Sequence, residues 1–146
     1  MKSIFLTAAA LFSTLSLAAP VSATTEKINP VQHLLETREC YGCDLTNANL
    51  QGAHLIGVDL RKANLQGANL EEANLEGADL TGANLISADL TGAFANGTTF
   101  DNANLTNADL SDTNLYNAQV DGAVMIGTDI SGADGFDINL GIGGEE

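Results

Sequence analysis

The chain has 146 residues and carries 19 aspartates and glutamates against five lysines and arginines, for a formal net charge of −14. This length suits a single domain. So negative a chain is not expected to bind nucleic acid backbones, and it offers no basic patch to anionic lipid. Acidic chains with few aromatics are often disordered, but a hydrophobic fraction of 45% favours a folded chain if the apolar residues are regularly placed.

Residues 1–23 are predicted to be a signal peptide. Lys2 gives a positive start, residues 4–17 form an apolar run, and residues 21–23 read Val-Ser-Ala, a small-x-small cleavage site. We expect cleavage after Ala23, with Ala19 as the second choice. An uncleaved anchor is the alternative, which the Ala and Ser residues within the short apolar run disfavour. Export makes a disulfide permissible in the mature chain.

Residues 24–42 are predicted to form a linker and a short capping helix, and to include Cys40. Asn29 suits the N-cap of this helix and Pro30 its first position. The apolar stripe within residues 31–35 gives the helix one side that must be buried. We therefore expect the helix to lie over the first turn of the structure that follows.

Cys40 and Cys43 are the only cysteines, and four interpretations of the pair are open, the last of them a pair of free thiols. The favoured one is a structural disulfide that ties the helix to the first repeat. A redox pair of the thioredoxin type belongs at a helix start in a βαβ unit, which this pattern lacks. A metal half-site needs two further ligands, for which His33 and His54 are candidates without a ligand spacing. If they bind no metal, both histidines are expected to be surface residues.

A period of five residues governs residues 43–132 without a phase shift. Every fifth residue is large and apolar, and the residue two positions before it is small, usually Ala. This period fits neither a helix nor a strand. It fits a solenoid that turns a corner once per repeat, with the large and small residues inside. The predicted interior residues are Leu45, Leu50, Leu55, Leu60, Leu65, Leu70, Leu75, Leu80, Leu85, Leu90, Phe100, Leu105, Leu110 and Leu115.

The units Ala-Asn-Leu-x-x and Ala-Asp-Leu-x-x resemble the A(D/N)LXX signature of the pentapeptide repeat family. The resemblance implies an all-β solenoid, a right-handed quadrilateral β-helix with four pentapeptides per coil and about four and a half coils. With its capping helix and Cys-x-x-Cys pair, the chain is similar to exported family members common in cyanobacteria. The resemblance therefore implies a location in the periplasm or the thylakoid lumen.

One coil departs from the pattern, because Ala95 is small and Phe100 large for their positions. The two lie at adjacent predicted corners, so the exchange roughly conserves interior volume. We expect local repacking around a bulge at residues 96–97. In the alternative interpretation Phe94, which takes an outward position, forms an interaction face with Tyr116, one coil away on the same side.

Carboxylates are plentiful, and Asp89, Asp109 and Asp129 are predicted to stack in one column. Such a column is a weak candidate for binding Ca²⁺ through its oxygens. The favoured interpretation is a hydrated acidic surface whose side chains bond to neighbouring backbone. The basic pair at residues 61–62 is expected to face Glu72 across a surface ion pair that contributes little.

Residues 133–146 are predicted to be a C-terminal cap with a flexible acidic tail. Phe136, Ile138 and Leu140 either fold over the last coil or form an end that dimerises. An exposed solenoid end would otherwise invite aggregation. We therefore expect a monomer or a dimer through the C-terminal end.

The sequence contains no Gly-x-Ser-x-Gly, His-Glu-x-x-His, phosphate-loop or dinucleotide motif, and an enzyme or a cofactor is not predicted. The favoured function is a rigid acidic scaffold or interaction module with an unknown protein partner and, after signal cleavage, no membrane. The alternative is a redox- or Ca²⁺-responsive protein of the lumen or periplasm that uses Cys40 and Cys43 or the aspartate column. DNA mimicry, the mode of family members that protect DNA gyrase, is a remote alternative that export disfavours.

Overall fold

The computed structural model describes residues 29–135, in which the backbone winds into a rod of stacked, four-sided coils. Parallel bridges join residues twenty apart, from Glu39 with Asp59 to Asn114 with Asp134. A return every twenty residues corresponds to four pentapeptides per coil, as the resemblance implies. The pairing within this range consists of single-residue bridges rather than extended strands, because a corner interrupts the chain in every repeat.

Each corner is a hydrogen-bonded turn, and its geometry explains the residue types of the repeat. The N–H of the small residue donates to the carbonyl of the large residue three positions earlier, as Ala68 does to Leu65 at 3.0 Å. The residue before the small one has a positive φ, which Gly67 adopts at 64° without strain. The polar residue supports the turn that follows it, since Asn69 Oδ1 accepts the N–H of Glu71 at 2.9 Å in the next turn, which Ala73 N closes on Leu70 O. Asn, Asp and Gly therefore recur because the backbone turns need a side-chain acceptor and a residue with a positive φ.

Backbone hydrogen bonds hold each coil in register on the next. Leu65 N donates to Asn84 O at 2.7 Å, and Asn84 N donates to Ala63 O at 2.9 Å. The same alternation repeats along the rod. Residues twenty apart consequently form continuous columns, spaced by roughly the 4.8 Å of neighbouring strands.

The interior of the rod is filled by the side chains of the large and small repeat positions. Each of the predicted interior leucines, and Phe100, is at most 2% exposed. In the last coil, Val120, Met125 and Ile130 are only partly buried, because the described chain places no complete coil above them.

The expected bulge at residues 96–97 is wrong. Phe94 bridges Asn114 in the ordinary register, and Gly97 has the same positive φ, 62°, as glycines in other repeats. Ala95 and Phe100 are both completely buried. The register is kept because the small residue at one corner offsets the large ring at the next, so that the backbone does not have to move.

Helix α1 spans Pro30–Thr37 and precedes the first coil. The side chain of Asn29 accepts a backbone N–H of the first turn at 3.0 Å, as expected of an N-cap. Leu34 is completely buried in the core of the rod, and the guanidinium of Arg38 donates to Ile56 O at 2.9 Å. These contacts hold α1 against the first coil. Among residues 29–135 no helix has the length and apolar character that a membrane crossing requires.

Within residues 29–135 the last bridge is that of Asp134, and Gly135 differs from the corresponding residue of the other repeats. Gly135 stands where the repeat calls for a large apolar residue, and its φ is 79°. A Cβ atom there would lie 2.6 Å from the backbone N of Tyr116, so only glycine fits. The predicted signal peptide (1–23) and the apolar residues of the predicted tail (136–140) lie outside the described residues.

Candidate functional site

The coils give the rod four sides, which we number 1 to 4 from the pentapeptides 43–47, 48–52, 53–57 and 58–62 and the residues stacked on each. Charge is unevenly distributed among them. Side 1 carries one charged residue, Asp44, within the described range. Side 2 carries six carboxylates and no lysine or arginine there. They are Glu71, Glu72, Asp89, Asp109, Asp112 and Asp129.

The predicted aspartate column lies on side 2, where Asp109 bridges both Asp89 and Asp129. Each carboxylate, however, is engaged by its own turn. Asp129 Oδ1 accepts the N–H of Ser131 at 2.9 Å and its hydroxyl at 2.7 Å, and these bonds lower the pKa of Asp129. Among residues 29–135 no group of three or more His, Cys, Asp or Glu side chains is arranged to hold a metal ion. The geometry therefore does not support the Ca²⁺ hypothesis.

Cys40 and Cys43 lie at one interior corner of the first coil, and their sulfur atoms are bonded. Cys40 is 1% exposed and stands below Leu60 in a column of large residues. Cys43 stands below Ala63 in a column of small ones. The disulfide therefore joins two repeat positions of one corner and does not tie α1 to the rod. This placement favours a structural role.

We expect Cys43→Ser to lower the free energy of unfolding by about 2 kcal/mol, the entropic contribution of closing so short a loop. Urea denaturation of the oxidised protein, the reduced protein and the variant measures the loss. The reduced protein is the matched control, because it keeps both sulfur atoms in the interior. Complete unfolding on reduction, or no change at all, would contradict a local role for the bond.

The expected ion pair between Arg61 and Glu72 is not formed. Arg61 pairs with carboxylates of side 4 instead. Its guanidinium donates to Asp59 through Nε at 2.9 Å and Nη2 at 2.7 Å, and Nε lies 3.8 Å from Asp79 Oδ2. The hydrogen bonds from Arg61 hold the pKa of Asp59 below its ordinary value. Arg61 and its neighbour at position 62 also lie 5.7 and 5.5 Å from the ring of Tyr41. The basic pair therefore serves the structure of side 4.

Replacing Arg61 with Gln is expected to raise the pKa of Asp59 toward its ordinary value. A carboxyl with a lowered pKa stabilises the fold above its unfolded-state pKa, and this contribution is lost as the pH falls through the folded-state pKa. The variant should thus lose less stability than the wild type below about pH 5. Side-chain NMR titration measures the change, with Asp44, which Thr46 holds, as the internal control. An unchanged Asp59 titration would show that Arg61 does not set it.

Side 3 carries Phe94 and Tyr116, the pair that the sequence analysis predicted as an interaction face. Phe94 is 48% exposed and Tyr116 53%, and Ile56 on the same side is 45% exposed. Phe94 bridges Asn74 and Asn114, and Tyr116 O accepts the N–H of Gly97 in the next coil. Phe94 and Tyr116 are therefore diagonal neighbours on adjacent coils.

The two histidines are not brought together. His54 is exposed at the start of side 3, whereas His33 lies half-buried on α1. The linear sequence does not reveal that Glu72, Glu76 and Asp112 lie around Phe94. The signal that finds them is the twenty-residue register, because it places residues that are far apart in sequence on one corner.

A family model for pentapeptide repeats matches residues 39–77, 78–115 and 103–134, with eight copies of the repeat. Comparison with curated proteins gives no match. Among solved structures, the pentapeptide repeat protein Rfr23 from the cyanobacterium Cyanothece 51142 is 28% identical with a TM-score of 0.61. That comparison covers 72% of this chain and 96% of Rfr23.

Two further structures are similar. HetL, a pentapeptide repeat protein involved in heterocyst differentiation regulation in Nostoc sp. PCC 7120, is 34% identical with a TM-score of 0.56, over 65% of this chain and 48% of HetL. The chain therefore spans about half the length of HetL. A pentapeptide repeat protein from the Arabidopsis thaliana thylakoid lumen is 32% identical with a TM-score of 0.53, over 64% of this chain and 62% of that one.

Proposed function

The chain belongs to the pentapeptide repeat family, whose fold is a right-handed quadrilateral β-helix, and from this premise we propose that it is a non-catalytic, exported, acidic scaffold or protein-interaction module. Members of the family are generally structural or interaction proteins. The observation that carries the proposal is the closed interior. Because the large repeat side chains from Leu45 to Leu115 fill the rod at no more than 2% exposure, recognition has to take place on its outer sides, where the backbone bridges fix the position of each residue.

The uneven charge favours a protein partner over DNA mimicry. Double-stranded DNA carries charge at regular intervals along both strands, about one per 1.7 Å of axis. The rod instead concentrates its carboxylates on sides 2 and 4 and leaves side 1 with Asp44 alone. An aromatic pair, Phe94 and Tyr116, is exposed on side 3. A surface of this kind suits one oriented partner.

Export to the thylakoid lumen or the periplasm is supported by the predicted signal peptide and by the bonded cysteines, which persist in oxidising compartments. One similar structure is a protein of the Arabidopsis thylakoid lumen. Fractionation of cells that express the tagged chain, with mass spectrometry of its N-terminus, tests this part. We expect a mature protein that begins at Thr24. A chain that keeps Met1 in the cytoplasm would contradict export.

Chemical crosslinking of the exported, tagged protein in its native cells tests the interaction. We expect a reproducible protein partner that is lost in the double variant F94A/Y116A. Ile126→Ala on side 1 is the matched control, because Ile126 is also exposed, at 71%, and should keep the partner. If only self-crosslinks appeared, the protein would be a free-standing rod and the interaction proposal would fail.

A further inference from the structure

Side 3 presents an apolar surface in the middle of an acidic rod. We call Phe94 and Tyr116, which are diagonal neighbours on adjacent coils, the aromatic patch. They are 48% and 53% exposed. Ile56, on the same side, lies two coils before Phe94 and is not part of the patch. Large exposed apolar residues that lie together mark interaction surfaces more often than single scattered ones do. Bridges to the neighbouring coils hold the backbone of the patch, so that binding costs little backbone ordering.

Carboxylates border the patch on both sides of Phe94. Glu72 runs along the corner between sides 2 and 3, since its Cγ is 3.8 Å from the Cβ position of Gly92, two residues before Phe94. Asp112 occupies the same corner in the next coil. On the other side, Glu76 Oε1 accepts the side-chain N–H of Asn96 at 3.2 Å. The repeats of sides 2 and 3 contain no lysine or arginine within residues 29–135. The guanidinium of Arg38 reaches side 3 at Ile56 O, two coils before Phe94.

We propose that the aromatic patch and its acidic border form a docking surface for a basic protein segment, one that places arginine or lysine beside an apolar residue. This inference rests on the proposed interaction function and names the chemistry of its partner. A guanidinium or ammonium group stacks on the rings of Phe94 and Tyr116 and meets the carboxylates of Glu72, Glu76 and Asp112. The apolar residue of the partner covers the rest of the patch.

The charge of the chain selects this occupant over the two others available. Residues 136–146 contain Asp137, Glu145 and Glu146 and no lysine or arginine, so that the chain's own C-terminal segment would bring further negative charge to an acidic border. A second copy of the chain brings a net charge of −14. A basic segment is the occupant whose approach the field of the rod favours.

The test places a photo-crosslinking residue, p-benzoylphenylalanine, at position 94 of the full mature chain. The matched control carries it at position 126, an exposed apolar position on side 1, where Asp44 is the one charged residue described. Both proteins are irradiated with an extract of the compartment to which the protein is exported, and the crosslinked segment is sequenced by mass spectrometry. The segment is then synthesised and its affinity for the unlabelled chain is measured at several salt concentrations.

We expect position 94 to capture a segment rich in arginine or lysine, and position 126 not to. Phe94→Ala should weaken binding of the synthetic segment by roughly tenfold or more, as for an aromatic hot spot. E72Q/D112N should weaken it several-fold and flatten its salt dependence. The matched pair D44N/D121N, on sides 1 and 4, should leave binding unchanged. Circular dichroism of each variant serves as the control that these exposed changes leave the fold intact.

The contrary outcomes separate this inference from the proposed function. Capture of an acidic or neutral segment, of residues 136–146 or of a second copy at position 94 overturns the basic-partner inference. Capture at position 126 alone overturns the docking surface but leaves an interaction module. Capture at neither position overturns the docking surface, and crosslinking of the whole protein in its native cells then decides the proposed function separately.

Discussion

Leu80→Lys is expected to abolish folding of the central coils. Leu80 is completely buried, in a column between Leu60 and Phe100. The substitution removes about 2 kcal/mol of apolar burial and places an ammonium group in the buried interior without a charged partner, at a cost of several kcal/mol. Together these are comparable to the lower part of the roughly 5–15 kcal/mol range of domain stability. Loss of the β signal in far-ultraviolet circular dichroism, with loss of a cooperative urea transition, measures the effect.

Gln66→Lys is the matched control for that result. It adds the same side chain at an exposed outward position of the repeat. We expect its stability to lie within about 0.5 kcal/mol of the wild type, as for most surface substitutions. A Leu80→Lys protein that unfolds like this control would show that position 80 is not enclosed, and the account of the interior columns would fail.

Phe100→Ala is expected to lower the free energy of unfolding by about 3–5 kcal/mol, the range for truncating a buried aromatic residue. The ring is completely buried beside a corner at which Ala95 supplies almost no volume. Removing it leaves two adjacent corners of one coil underfilled, and the ladder of that coil cannot collapse onto the space without breaking its hydrogen bonds. Urea denaturation with a constant m-value measures the change.

The double variant A95L/F100L tests whether the two corners compensate each other. It restores the leucine of the ordinary repeat at both positions, and we expect it to cost less than about 1.5 kcal/mol because the interior volume is conserved. Ala95→Leu alone should cost about 1–3 kcal/mol through overpacking against Phe100. Additive losses in the double variant would show that residues 95 and 100 are not coupled.

Much of the fold follows from local chemistry that a single sequence displays. The period of five is visible because interior residues such as Leu65 and Leu70 have to be apolar, and the turn residues Asn69 and Gly67 have to supply a side-chain acceptor and a positive φ. The number of sides, in contrast, does not follow from this local chemistry. Nothing in a period of five specifies that the coil closes after four repeats, and the four-sided form came from the resemblance to the family.

The surface was harder to predict, because side chains there are set by neighbours in the next coil. Arg61 turns to Asp59 in its own repeat instead of reaching Glu72. The prediction of a bulge at residues 96–97 was wrong for another reason. Composition showed an irregular unit, but whether the backbone or the core absorbs an irregular side chain depends on interior space, which a linear pattern does not display.

The closure of a coil every twenty residues has a consequence for how such a chain can change in evolution. Duplicating or deleting one pentapeptide keeps every leucine inside, so the fold tolerates it. All residues after that point nevertheless move a quarter turn around the axis relative to those before it, and a change between residues 76 and 93 would separate the aromatic patch from Glu72 and Glu76. The fold therefore tolerates insertions and deletions of five residues. A binding surface that spans the change keeps its residues on one side only when the insertion or deletion is a multiple of twenty residues.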